Sequence, residues 1–196
     1  DDSFLDPKVF NKDSLIGVPG LFKCWLKKNV GIINAIGTGV ADDKVVYSYV
    51  NKMITYYLGE QPILDQVETY LCHNETERKY VIENISRLVV KPANASGGYG
   101  IMIGPKAPKK EIEETISKIN KNPREFIAQP LEILSTAPTI TENDIEPRHL
   151  DLRPFILTGK TNYVTTGGLT RVALRKGSTI VNSSQGGGSK DTLIVD

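Results

Sequence analysis

Residues 88–104 read LVVKPANASGGYGIMIG. A run of Leu and β-branched residues carries one lysine, Lys91. It falls into a glycine-rich dip and then rises into a second apolar run. The pattern predicts a strand over 88–92, a loop over 93–98 and a strand over 99–104. Ahead of it, NETERKYVIENI (74–85) predicts a helix, with Asn74 as cap, Glu77 three residues later, and Tyr80, Val81 and Ile85 apolar. Behind it, APKKEIEETISKINKNP (107–123) predicts an amphipathic helix with Ile112, Ile116 and Ile119 on one face, stopped by Asn-Pro. FIAQPLEIL (126–134) then reads as a returning strand. Two strands, a helix and a further strand make a layered unit with the helix on one face of a sheet.

Further out, residues 1–41 are broken by Gly and Pro, with a short helix in LFKCWLKKN and an apolar strand in VGII (30–33). From Asp42, DDKVVYSYVNKMITYYL predicts one helix opening on Asp42 or Asp43. Residues 135–147 read as a polar loop. RHLDLRPFIL, NYVTTGGLTRVAL, STIVNSS and DTLIV read as strands, the last two separated by the glycine cluster SSQGGGSK. The expected fold class is α+β in three parts: 1–86, an N-terminal α/β part; 87–134, a small subdomain; and 135–196, a β-rich part. The chain opens on DDSFLDP rather than Met and reads as cut from a longer protein.

With 196 residues, 39% of them hydrophobic and 24% charged, the chain has an ordinary globular composition and can bury a core. A net charge of +1 argues against general affinity for nucleic acid. Cys24 and Cys72 match no metal spacing and read as reduced thiols. No run reaches the roughly 18 apolar residues of a membrane span, so a cytoplasmic protein without membrane contact is expected. There is no nucleophile elbow.

Lys91 beside Gly97, Gly98 and Gly100 suits a polyphosphate site, because glycine backbone approaches an anion closely and the ammonium adds a point charge. A glycine hairpin with a snorkelling lysine has the same pattern. Lys44, just inside the helix that Asp42 or Asp43 opens, could be a second phosphate ligand helped by the helix dipole, or a solvated lysine balancing its acids. Alternation puts His149, Asp151 and Arg153 on one strand face beside Arg148, which suits an active-site wall or a half-exposed salt-bridge array. Arg171, Asn182, Gln185 and the glycines after it make a polar rim or a flexible turn.

Taken in order, DDSFLDP, GVPGL, GTGVADDK, LVVKPANASGGYG, FIAQP, RHLDLRPF, GGLTRVALRKGS and VNSSQGGGSKDT resemble the circularly permuted ATP-grasp proteins of type 2, a group described as glutathionylspermidine-synthase-like. The resemblance implies a nucleotide clamped between two α+β subdomains. It also implies activation of a carboxylate as an acyl phosphate and attack on it by an amine. On this resemblance Lys44 and Lys91 hold the ATP phosphates from separate halves of the molecule, and Gly97, Gly98, Tyr99 and Gly100 form a loop over them. Gln129 and the backbone at Leu131 read the adenine edge, and Glu132 meets the ribose. Arg153 and Arg171 stand near the transferred phosphoryl group, where charge must be neutralised. Arg148, His149, Asp151, Asn182 and Gln185 face substrate. The implied partners are ATP, magnesium, a small carboxylate and an amine, with the metal ligands expected upstream of residue 1. The competing expectation is a catalytically inactive module that binds nucleotide or an enzyme partner.

Overall fold

The computed structural model describes residues 2–33, 36–95, 98–141, 144–178, 181 and 186–193. It divides into two compact units, residues 1–95 with 100–130, and residues 96–99 with 131–196.

The first unit is built on a four-stranded antiparallel sheet. β1 is Tyr70–Leu71, β2 Leu88–Pro92, β3 Met102–Ile103 and β4 Phe126–Pro130, in the order β1-β4-β2-β3. Leu88, Val89 and Val90 are buried in succession, as expected of a strand covered on both faces. On one face lie two helices, α4 (Glu75–Asn84) and α5 (Lys109–Lys121). Their Val81 and Ile119 close a core with Cys72, Leu88, Val90, Met102 and Ala128. Asn74 caps α4 by accepting from the Thr76 and Glu77 amides, but Glu77 does not complete a capping box. Its carboxylate accepts instead from the Leu71 amide at 2.6 Å, tying the helix to β1.

On the opposite face Leu71, Ala93 and Ile127 pack against Val45 of α2 (Lys44–Tyr47) and against Tyr49. The single helix expected from Asp42 is two, α2 and α3 (Val50–Leu58), interrupted where the Ser48 hydroxyl turns back to the Val45 carbonyl at 2.7 Å. Only Val45 of these two helices is buried, so packing does not force them into one rod.

Ahead of them, α1 (Leu21–Leu26) stands on Asp6, a fully buried carboxylate that accepts from the amides of Lys8, Gly20 and Phe22 at 2.9–3.1 Å. Burial pushes its pKa up, but those amides outweigh burial and hold it below the usual value. VGII is not a strand: Ile33 is exposed and no neighbouring strand pairs with it among the described residues.

The second unit carries another antiparallel sheet, β5 (Thr136–Ile140), β6 (Ile145–Thr158), β7 (Asn162–Val172) and β8 (Gly188–Lys190) in that order. β5 corrects the expectation of a loop over 135–147. Its threonines and Ile140 pair along β6 from Thr136 opposite His149 to Ile140 opposite Ile145. β8 takes up the end of the glycine cluster whose pattern suits a polar rim or a flexible turn, and its Ser189 pairs with Arg171. Residues 191–193, expected as strand, are irregular, and most of STIVNSS lies outside the described residues. The predicted strand over 99–104 shrinks to β3. Gly98 and Gly100 take positive φ of 82° and 72° in a turn that precedes it.

Candidate functional site

The period of two along β2 and β4 decides where Lys91 goes. Leu88, Val90 and Ala128 face the helices, so Val89, Lys91, Ile127 and Gln129 face the other way. Lys91 pairs with Ile127 and Gln129 with Val89, which makes Lys91 and Gln129 diagonal neighbours. The Lys91 ammonium donates to Gln129 Oε1 at 2.6 Å, and Gln129 Nε2 donates to Thr69 Oγ1 at 2.8 Å. Gln129 is buried, with its amide engaged at both ends.

Lys44 belongs to the same unit and the same face. Its backbone amide donates to the Ala93 carbonyl at 2.8 Å, and its ammonium donates to the Ala95 carbonyl. Asp43 caps α2 through Val45 at 2.8 Å and pairs with Arg124 at 3.1 Å. The amides of Lys44 and Val45 are therefore already used, and a four-residue helix has little dipole to offer. Whatever Lys44 gives an anion comes from its side chain. Burial lowers the pKa of Lys91, and the Lys44 charge lowers it further. Burial also lowers that of Lys44, while Asp43 and Asp42 oppose the shift. The two lysines are thus not carried by separate halves: both lie in the first unit, close enough to interact.

On the second sheet the alternation also holds. Asp151 lies opposite Arg171, and the Arg171 Nε donates to Asp151 Oδ1 at 2.9 Å while Nη2 bonds Oδ2. Arg153 approaches the same carboxylate at 3.7 Å. The Arg171 hydrogen bonds hold Asp151 below the usual carboxylate range against its burial. His149 places Nδ1 at 2.7 Å from the Leu134 carbonyl, so in the neutral ring Nδ1 carries the proton and Nε2 is the acceptor. Arg148 is buried, with its three nitrogens on Leu174 O, Pro147 O and Glu146. That arrangement braces the sheet.

Tyr99, Leu131 and Glu132 are exposed. The chain passes from the first unit to the second between Pro130 and Leu131. Gly97, Asn182 and Gln185 lie outside the described residues. The sequence reading missed Thr69 altogether. Its signal would have been the alternation of Thr69 and Leu71 with Tyr70 and Cys72, which face opposite ways, around a strand too short to stand out. Among the described residues no three His, Cys, Asp or Glu side chains converge as a metal site, and Asp151 is committed to arginine. These residues do not fit a magnesium cage, and no metal step is assigned to them.

A family model described as circularly permuted ATP-grasp type 2 matches residues 1–173, and the chain belongs to that family. It is 56% identical over 196 residues to an uncharacterized protein of Synechocystis sp., covering 100% of this chain and 41% of that protein. It is 52% identical over 196 residues to an uncharacterized protein of Mycobacterium tuberculosis, covering 100% of this chain and 36% of the other. A Frankia casuarinae protein named "Putative glutamate--cysteine ligase 2-2" is 50% identical over 179 residues, 91% of this chain and 21% of its own length. The chain thus spans about two-fifths or less of these relatives.

Proposed function

We propose that this member of the circularly permuted ATP-grasp type 2 family contributes the phosphate-holding part of an ATP-dependent carboxylate–amine ligase. One observation carries it: the Lys44 amide bonds the Ala93 carbonyl two residues beyond Lys91, which puts both lysines at one sheet face, and neither makes an ion pair with a carboxylate among the described residues. Bringing two partly buried like charges together costs free energy, which an anion bound at both would recover. A polyphosphate is the ligand that suits two ammonium groups beside a glycine turn.

In the proposed chemistry a substrate carboxylate oxygen attacks the γ-phosphorus of ATP, and the bond to the β-phosphate oxygen breaks to release ADP. The amine nitrogen then attacks the acyl carbon, phosphate leaves, and the nitrogen gives up its proton. Lys44 and Lys91 orient the phosphates and offset their charge. Arg153 and Arg171 would offset charge at the transferred group, His149 and Asp151 would face substrate, and the backbone at Leu131 with Glu132 would hold the nucleoside. A glutathionylspermidine-synthase-like substrate range and a cytoplasmic setting belong to the same proposal. Among the described residues no helix is long and apolar enough to cross a membrane. The Frankia name makes glutamate and cysteine the first pair to try.

The test is calorimetric titration of the intact protein with ATP and ADP in magnesium buffer, followed by a coupled assay of ADP release with carboxylate and amine together. Nucleotide binding with release that needs both substrates supports the ligase. Binding without release under any pair leaves a nucleotide-binding module, and absence of binding removes the proposal.

A further inference from the structure

Lys91 can only donate hydrogen bonds, so the Gln129 atom facing it at 2.6 Å is the oxygen. The Gln129 nitrogen must then face Thr69, whose oxygen accepts at 2.8 Å. The Thr69 hydroxyl proton is directed away from Gln129, to the Val67 carbonyl at 2.9 Å. Every donor in the row Lys91, Gln129, Thr69, Val67 points the same way. Such a chain polarises along its length.

The far end is anchored. The Val67 amide donates to the Tyr47 hydroxyl at 3.3 Å, and the neighbouring Gln66 donates to the Tyr47 carbonyl at 2.7 Å. Tyr47 closes α2, the helix that begins with Lys44. The row therefore runs from one lysine back to the helix carrying the other, across β2, β4 and the residues leading into β1.

We propose that Thr69 and Gln129 are positioning residues that fix the Lys91 ammonium for a nucleotide polyphosphate, with Thr69 acting through Gln129. This rests on the nucleotide reading above and changes one part of it. Gln129, expected at the adenine edge, serves the phosphates instead. Adenine recognition then falls to other groups.

A double-mutant cycle on the intact protein tests it. ATP affinity is measured by calorimetry for Thr69→Val, Lys91→Met and the pair, with Thr69→Ser as the conservative control. Thr69→Val is expected to weaken binding about fivefold, the size of one net hydrogen bond, and Thr69→Ser to restore it. In the Lys91→Met background Thr69→Val is expected to change nothing further. Losses that multiply independently, or a Ser variant as weak as Val, overturn the proposal.

A nucleotide-free arm separates this failure from that of the ATP reading. Relaxation of the Lys91 side-chain signal in labelled protein should show freer motion in Thr69→Val and wild-type order in Thr69→Ser. If wild type binds no ATP the ligase reading falls, and this arm still decides the relay. Unchanged Lys91 motion in Thr69→Val overturns it.

Discussion

Lys91 holds its ammonium within electrostatic reach of Lys44, and its strongest partner is not an acid but the amide oxygen of Gln129 at 2.6 Å. A neutral acceptor satisfies the donor without cancelling the charge. The Lys91 charge is left uncancelled where a carboxylate partner would have neutralised it, a condition that favours holding an anion.

Replacing Lys91 with Met should therefore separate binding from stability. One charge-assisted contact to phosphate is worth about 1.5–3 kcal/mol, so the ATP dissociation constant should rise on the order of 10- to 100-fold. The thermal midpoint should move little, because relief of a partly buried charge facing a like charge is offset by leaving the buried Gln129 oxygen without its donor. Calorimetry and a thermal melt on one preparation check both. A lowered midpoint with unchanged affinity would make Lys91 a structural residue.

The same pair predicts proton uptake on nucleotide binding. Lys91 lies below the ordinary lysine value of 10.5 because of burial and Lys44. The charges around it are Lys44 with Asp42 and Asp43, and Arg124 paired to Asp43. A bound polyanion raises the Lys91 pKa, so protons are taken up between its free and bound values. Affinity should fall as pH rises through that window. Titrations in two buffers of different ionisation enthalpy measure the uptake. Zero uptake as the pH is raised from neutrality towards 10.5, or proton release, is the contrary result.

How far the sequence showed this site depends on strand length. β2 was legible because five residues, four of them apolar or Pro, announced it, and alternation alone puts Lys91 opposite the helices. β1 is two residues and was invisible, so Thr69 was missed. β5 was hidden because Ser, Thr and Pro read as loop until β6 offers them a partner. The separation of α2 from α3 was hidden for the opposite reason. The apolar spacing was helical throughout, but almost nothing packs on it to enforce a single rod. Residues bonded across the sheet, as Lys91 is to Gln129, are 38 positions apart, and no local pattern reports such a pairing.

Gly104 tests the layered unit directly. A Cβ there would meet the Ile85 carbonyl oxygen at 2.0 Å and the Leu88 carbonyl oxygen at 2.6 Å, where α4 feeds into β2. Backbone cannot swing aside as a side chain can. Gly104→Ala should cost about 3 kcal/mol in urea unfolding, while Gly31→Ala, with open space around it, should cost little. Equal midpoints for the two variants would mean the close approach is not made.

Asp151 gives the last prediction, on the second sheet. The Arg171 guanidinium grips both its oxygens, Arg153 adds charge, and together they hold its pKa below the usual value of 3.8. A carboxylate whose pKa is depressed by folding contributes stability above the unfolded value, and that contribution disappears as pH falls through the folded value. Asp151→Asn keeps the shape, removes the charge and leaves Arg171 one acceptor fewer. The pair is only partly exposed, so the loss near pH 7 should be about 1–2 kcal/mol. Amide exchange along β6 and β7, where Asp151 and Arg171 are paired, should read it as faster opening at neutral pH. The difference from wild type should shrink as pH drops below 3.8 and vanish once Asp151 is protonated in the folded protein. A difference that stays constant down through acid pH would assign the Asn effect to packing and would remove the ion pair as the cause.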